Sequence, residues 1–360
     1  MTRRPLIVFF LLAAVLVPAV VAYPGRDADA VSGRYVLITP TIGAYRKPFR
    51  AFLTARELDV MTRMGSRLRA ARKVPLRVVN TGVFHVEPGS GDSPLFLAQR
   101  TVLRELQRVL EKYNGTIADW RVDIVVGRSQ AYLKSTLASL GCNADFSQTD
   151  GVVQMGAALC GRHYLADNLT GYLFLRSSDD ILTGAMERAR EPRVGSIPYL
   201  VAMRNLSGLA HEWAHIYRAA GQNGRVFTDE PAWVREGLAE IWSGIAIVNS
   251  NIARMTYTDW HVIRLRRFLD WSRRCNVKLI DFRTGSPATN GCEYFIGPLA
   301  IELLIARHGG LENLIKVFHL NDPEQGFLDD FEEVYGMTLG DFEKEADAYI
   351  AGIREAELTR

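Results

Sequence analysis

The character of the sequence changes near Pro198, and this change constrains the fold more than any other feature. Before it, short apolar or alternating stretches typical of strands are interspersed with stretches of helical periodicity. After it, almost every segment has the apolar spacing of a helix, and glycines mark the helix ends. A chain of 360 residues that is 48% hydrophobic can bury a sizeable core. We therefore expect an α+β protein, with a mixed α/β N-terminal lobe and a helical C-terminal lobe.

The periodicity also predicts individual elements. Strands are predicted at 35–38, 78–86, 120–126, 151–159 and 172–175. Helices are predicted at 49–72, 95–113, 129–140, 199–220, 231–249, 257–271, 294–308 and 310–319, with two more before the C-terminus.

The N-terminus has the pattern of an export signal. Arg3 and Arg4 precede an apolar stretch from Leu6 to Val21, and Ala22 suits the last position before a signal-peptidase cut. We expect cleavage after Ala22, and an uncleaved membrane anchor is the alternative. In both cases the rest of the chain lies outside the cytoplasm, so the sequence predicts a periplasmic or secreted protein.

Charge and cysteine content narrow the classes of partner and compartment. The net charge is +3 without a basic block, which argues against a nucleic-acid partner, and membrane contact is expected only through an uncleaved anchor. The oligomeric state is not indicated. An exported chain can form disulfides, and Cys142–Cys160 with Cys275–Cys292 is the simplest of three pairings. Four buried free thiols are the alternative.

Residues 211–215 read His-Glu-Trp-Ala-His inside a predicted helix, which is the pattern HExxH. Side chains four residues apart lie on one helix face, so His211 and His215 can bind one metal ion. Glu212 lies one step round the helix and can act on a metal-bound water instead. The alternative is a surface helix that carries two histidines by chance.

A second acidic cluster strengthens this interpretation. Glu236 follows His215 with 20 residues between them, in a helix that begins after Pro231. That gap allows the chain to turn and bring a second helix alongside the first. Two histidines and a carboxylate, with the fourth position left for water, are the pattern of catalytic zinc. Glu240, one turn later, can accept the free ring N–H of a ligand histidine. A solvated helix face is the alternative for both glutamates.

The segments HEWAH and PAWVREGLAE together resemble the gluzincins, the HExxH…E zinc peptidases that include thermolysin and aminopeptidase N. The resemblance covers roughly residues 150–350 and implies a zincin-like fold with an active-site cleft between the two lobes. It implies one Zn²⁺ ion, bound by His211, His215 and Glu236, and a peptide or protein substrate. Glu212 would be the catalytic base. The gap after His215 is slightly longer than in the best-known members.

The resemblance extends to other segments. Tyr294-Phe295-Ile296-Gly297 is similar to a gluzincin segment in which a tyrosine holds the oxyanion, so Tyr294 is the candidate, and Tyr217, Tyr257 and His261 are the alternatives. Gluzincins bind substrate along an edge strand, which either 153–159 or 172–175 would supply. We accordingly divide the chain into a signal segment (1–22), an α/β region of unknown role (23–120) and a gluzincin-like catalytic domain (121–360).

Two other functions stay open at this point. Gly184-Ala185-Met186-Glu187 stands 27 residues before His211 and is similar to the GAMEN motif of aminopeptidases, although Arg188 replaces the asparagine. With Glu187 binding a free amine, the protein would be an aminopeptidase. Otherwise the fold could serve as a non-catalytic cell-envelope binding protein with a vestigial zinc site.

Overall fold

In the computed structural model of the protein, the described strands form two sheets. The described residues are 36–38, 49–51, 56–57, 59–61, 63, 83–92, 94–113, 121–142, 155–158, 170–176, 197–221, 229–252, 255–283, 289, 291–318 and 325–358. The predicted signal segment, including Ala22, lies outside them. Within the described part, no helix combines the length and hydropathy needed to cross a membrane.

The smaller sheet is an antiparallel pair near the start of the chain. Strand β1 (Val36–Ile38) pairs with β2 (Phe49–Ala51), with Val36 opposite Ala51. The predicted helix at 49–72 was therefore wrong at its start, although the described residues between 56 and 63 are helical. Strand β2 has only three residues, which are too few for an alternating pattern to be distinguished from the helical spacing of the residues that follow.

The larger sheet has four described strands in the order β3 (Val83–Val86), β4 (Arg121–Gly127), β6 (Thr170–Arg176) and β5 (Met155–Ala158). The first three are parallel, and β5 pairs antiparallel with β6. Strand β5 is thus an edge strand, while β6 lies inside the sheet. Of the two segments proposed as the substrate edge, 172–175 is wrong because it is paired on both sides.

Strand β4 and the helices around it show how the sheet is covered. Val122, Ile124 and Val126 are buried in the main core with helix α1 (Pro94–Tyr113). Strand side chains alternate, so the intervening residues face the other side. Helix α2 (Gln130–Ser139), which Ser129 caps, contacts β4 and β6. Strand β3 and α1, from the predicted 23–120 region, thus share a sheet and core with later elements.

The described part of the chain after Pro198 is helical, as the sequence predicts, and its helices contribute most of the buried core residues. These helices are α3 (Ile197–Gly221), α4 (Ala232–Ser250), α5 (Tyr257–Trp271), α6 (Glu293–Arg307), α7 (Gly310–Val317), α8 (Phe327–Tyr335) and α9 (Leu339–Leu358), with a short 3₁₀ helix at Leu279–Phe282. Helix α4 is buried along almost its whole length, between α1, α3 and α6. The protein is therefore a mostly helical α+β protein, and residues 34–360 form one compact unit.

Candidate metal centre

Helix α3 presents two imidazoles on one face. The Nε2 atoms of His211 and His215 lie 3.2 Å apart, as expected for side chains one turn apart on a helix. The opposite face of α3 packs into the core through Leu209, Trp213 and Ile216, all nearly inaccessible to solvent. Burial of that face fixes the rotation of the helix and therefore the direction in which both imidazoles point.

Helix α4 supplies the third donor. The Oε2 atom of Glu236 lies 3.3 Å from the Nε2 atoms of both His211 and His215. Its other oxygen, Oε1, accepts a hydrogen bond from the Nε of Arg235 at 3.2 Å. The three facing atoms form a nearly equilateral triangle in a largely buried position, and the three residues form a group able to hold a metal ion.

The size of this triangle can be compared with that of a metal site. Zinc binds histidine nitrogen and carboxylate oxygen at about 2.0–2.1 Å, so two ligand atoms of a tetrahedral site are separated by about 3.3–3.4 Å. The three observed separations are 3.2, 3.3 and 3.3 Å. The donor set and its spacing therefore fit a tetrahedral ion with three protein ligands and one open position.

A buried ion pair holds the two helices in this relation. Arg218, in the last turn of α3, pairs with Glu230, directly before α4, and both side chains are almost completely buried. Burial lowers the pKa of Arg218 to about 9, so the guanidinium is still charged at neutral pH. The pair connects the end of one ligand-bearing helix to the start of the other.

A close helix crossing brings α6 against α4 beside the ligands. A Cβ atom on Gly237 would lie 2.5 Å from the carbonyl carbon of Gly297, and one on Gly297 would lie 2.4 Å from the carbonyl oxygen of Trp233. Only glycine permits this backbone approach. The crossing places the first turn of α6 at the site, where the Tyr294 ring lies 6.1 Å from the ring of His211.

The acidic residues around the imidazoles determine the electrostatics. Burial alone would lower the pKa of His211, but the hydrogen bond to Glu236 and the charges of Glu212 and Glu240 outweigh it and raise the pKa. Burial alone would raise the pKa of Glu236, but hydrogen bonds from the two imidazoles hold it far below its ordinary value. The Glu236 carboxylate is therefore ionised, as a metal ligand must be.

The other two predicted glutamates differ in their surroundings. Glu212 is partly exposed and close enough for its charge to act on His211. Glu240 is buried, with its Oε1 3.7 Å from the Nδ1 of His211 and its Oε2 bound to Arg267. Glu240 thus lies on the side of the imidazole away from the ligand atoms. The alternative of a solvated helix face is wrong for both glutamates, since Glu236 and Glu240 are buried.

Of the four tyrosine and histidine candidates, the structure brings Tyr294 beside the group that could hold a metal ion. Tyr217 is buried against the ring of Trp242, at 5.3 Å between centroids. Tyr257 and His261 are buried around Glu302, with contacts of 2.7 and 2.6 Å to its oxygens. The burial of these side chains away from the metal centre was not evident from their sequence positions.

The cysteine prediction is confirmed for one pair. Cys275 and Cys292 form a disulfide with a Cα–Cα distance of 5.3 Å. Cys142 is buried and also disulfide-bonded, and its predicted partner Cys160 lies outside the described residues. The free-thiol alternative is therefore wrong for the three described cysteines. Glu187 also lies outside the described residues.

Sequence reasoning missed several residues that shape the site. Gly237 and Gly297 stand inside the motifs that were recognised, and a glycine in a helix interior is a signal of close packing. Glu293, beside Tyr294, has a pKa raised first by burial and also by the charge of Glu236. Arg267 is 27 positions from Glu240, so no local spacing connects the two.

Comparison of the chain with protein-family models, curated proteins and solved structures gave no match.

Proposed function

We propose that the protein is an exported zinc metallopeptidase with a zincin-like, gluzincin-type catalytic site. The observation that carries the proposal is the triangle of donor atoms from His211, His215 and Glu236, each separation 3.2–3.3 Å. An antiparallel edge strand and two ligand-bearing helices, with the HExxH helix first, support the zincin-like description. The disulfide Cys275–Cys292 supports export, because disulfides persist in oxidising compartments.

When bound at these three residues, zinc would lower the pKa of a water in the open position and polarise the scissile carbonyl. Glu212 accepts a proton from the attacking water and then delivers it to the leaving amine. The hydroxyl of Tyr294 donates a hydrogen bond to the oxyanion that develops on the former carbonyl. Glu240 orients the His211 imidazole through its Nδ1 side.

The substrate is a peptide or protein segment in extended conformation. Strand β5 is the antiparallel edge strand of the described sheet, and helix α3 contacts it. Pairing of a substrate backbone with such an edge gives affinity with little dependence on sequence. This expectation favours cleavage of unfolded or flexible protein segments over one particular side-chain motif.

The test measures metal and hydrolysis separately. The purified protein should contain one zinc per chain by elemental analysis and should cleave a quenched fluorescent peptide library in a chelator-sensitive manner. His215→Ala should lose both the zinc and the hydrolysis. Glu212→Gln should retain the zinc and lose the hydrolysis, because it removes only the proton acceptor.

Three outcomes would contradict the proposal. Zinc content equal in the parent and the His215→Ala variant would exclude the assigned ligands. Iron in the site instead of zinc would indicate a different reaction class, because two histidines and one carboxylate also suit iron oxygenases. Zinc without any turnover, unchanged by Glu212→Gln, would indicate a binding protein. Comparison of free and blocked amino-acyl substrates would separate exopeptidase from endopeptidase action.

A further inference from the structure

Glu240 connects a metal ligand to a cation on a third helix. Its Oε1 faces the Nδ1 of His211 at 3.7 Å, and its Oε2 accepts a hydrogen bond from the Nη1 of Arg267 at 3.1 Å. The carboxylate is buried, with a side-chain exposure of 6%, and that of Arg267 is 15%. A carboxylate removed from water in this way requires a charged or hydrogen-bonding partner, and Arg267 supplies one.

Arg267 is itself held between two helices. It belongs to α5, and its guanidinium lies 5.4 Å from the centroid of the Phe295 ring on α6. Phe295 in turn stacks on Trp271, with ring centroids 4.9 Å apart and planes 12° from parallel. This cation–π contact stabilises the guanidinium in the position from which it donates to Glu240. Phe295 directly follows Tyr294, so the same contact reaches the segment of the proposed oxyanion donor.

The Glu240 carboxylate faces the Nδ1 of His211 at ion-pair distance, 3.7 Å, so its charge favours a proton on that nitrogen. With the proton on Nδ1, the lone pair of Nε2 is available to a metal ion held with Glu236 and His215. If Oε2 lost its partner, the carboxylate could rotate toward the solvent and leave Nδ1 without an acceptor. The geometry at Nε2 therefore depends on a contact made two side chains away.

We propose that Arg267 is a positioning residue of the metal centre, which acts through Glu240 on the orientation and tautomer of His211. The inference rests on the proposed metal site but not on peptide hydrolysis. Side chains that orient metal ligands through hydrogen bonds typically contribute about 10- to 100-fold to the affinity of a site for its metal. Loss of Arg267 should therefore weaken zinc binding while leaving the three ligands in place.

The experiment is a double-mutant cycle on zinc affinity, measured by competition with a chromophoric chelator on the purified protein. Arg267→Met and Glu240→Gln should each lower the affinity by about 10- to 100-fold, and the double variant should lose little more than either alone. Arg267→Lys, which keeps the charge, should recover most of the affinity. Arg266→Met is the matched control: Arg266 is adjacent, pairs with Asp270 at 3.1 Å and should leave zinc affinity unchanged.

Each outcome separates this inference from the proposed function. A parent protein without zinc affinity would contradict the proposed function itself. Zinc affinity unchanged in Arg267→Met would overturn the positioning role while leaving the zinc site intact. Additive losses in the double variant would also overturn it, because Arg267 would then act independently of Glu240. If Arg267→Met does not fold, judged by circular dichroism, Arg267→Gln gives the same comparison with a neutral side chain of similar reach.

Discussion

Each oxygen of the Glu236 carboxylate has its own partners, and this division determines how the residue can bind a metal ion. Oε2 faces both imidazole Nε2 atoms at 3.3 Å, while Oε1 is engaged by the Nε of Arg235 at 3.2 Å. A metal ion held at the triangle would meet one carboxylate oxygen. Binding through one oxygen would leave a fourth tetrahedral position free, as the proposed hydrolysis requires.

Removal of the Tyr294 hydroxyl tests the proposed oxyanion donor. Tyr294→Phe retains the ring beside His211 and should lower kcat by about 10²- to 10³-fold, with KM and zinc content unchanged. The measurement is steady-state hydrolysis of one peptide identified from the library. Tyr335→Phe is the control, since that ring packs on Phe331 in α8 and should not affect kcat. A normal kcat for Tyr294→Phe would remove this hydroxyl from the mechanism.

At the scale of elements, the α4–α6 crossing can be tested with one methyl group. In Gly297→Ala the new Cβ would meet the carbonyl oxygen of Trp233, which is backbone and cannot move aside. We expect a loss of about 1–3 kcal/mol in the free energy of unfolding, measured with urea. The first turn of α6 should also shift, so kcat/KM should fall.

The control for this variant is another helical glycine with room for a methyl group. A Cβ on Gly340, in α9, would meet only side-chain atoms at ordinary contact distances, Arg283 at 3.4 Å and Thr338 at 3.9 Å. Gly340→Ala should therefore leave activity unchanged and stabilise the protein by up to about 1 kcal/mol, the helix preference of alanine over glycine. Similar effects of the two substitutions would contradict the close-packing explanation.

A buried ionic network joins α5 to α6 behind the site. Glu302 accepts hydrogen bonds from the hydroxyl of Tyr257 and from Arg264, and its Oε2 lies 2.6 Å from the Nδ1 of His261. All four side chains are buried. Burial alone would raise the pKa of Glu302, but the charges of Arg264 and His261 and the hydrogen bonds lower it from the ordinary 4.5 to about 2.

This network predicts a pH-dependent stability difference. Glu302→Gln should cost about 3–5 kcal/mol at pH 7, because it leaves Arg264 buried without its anion. A carboxylate whose pKa is lowered on folding stabilises the protein above about 4.5, and this contribution is lost as pH falls toward about 2. The gap in unfolding free energy between parent and variant should therefore narrow from pH 7 to pH 3.

The exposed Glu332, on α8, provides a control for the same titration. Glu332→Gln should change the free energy of unfolding by less than about 0.5 kcal/mol at pH 7, since surface substitutions rarely exceed that. A gap between parent and Glu302→Gln that stays constant down to pH 3 would mean that folding does not lower the pKa of Glu302.

The helical elements were predictable because their signals are local. The predicted 257–271 matches α5, and Gly309 and Gly336 end helices with backbone φ angles of 104° and 65°. The convergence of His211, His215 and Glu236 was also predictable, because helix spacing places the two histidines on one face and the 20 residues that follow allow a second helix to return alongside. The structure confirms this convergence. The Arg267–Glu240 contact was not, because it depends on how α5 packs on α4.

At the scale of the molecule, contacts made by its last helix connect distant parts of the chain. Glu343, on α9, accepts a hydrogen bond from the Nε1 of Trp233 and pairs with Arg283. Arg307, at the end of α6, bridges Glu345 of α9 and Glu57 near the start of the described chain. Trp233 lies one turn before Glu236, so the fold of the C-terminal part supports the ligand-bearing helix directly.

The disulfide Cys275–Cys292 should stabilise the whole molecule and should also help to position Tyr294 at the site. It closes a loop with a sequence separation of 17, and a loop of that size predicts a stabilisation of about 3 kcal/mol. The double variant Cys275→Ala with Cys292→Ala should lose about that much in urea unfolding. It should retain zinc, because the three ligands are on α3 and α4.

Peptide hydrolysis by the same variant should decrease, since Cys292 directly precedes α6 and Tyr294 is two residues further on. Reductant added to the parent should destabilise it more than the double substitution does, because Cys142 is disulfide-bonded as well. Full activity in the double variant would show that the crossing of α6 on α4 positions Tyr294 without the disulfide. Loss of zinc together with activity would instead show that the bridge supports the packing of both ligand-bearing helices.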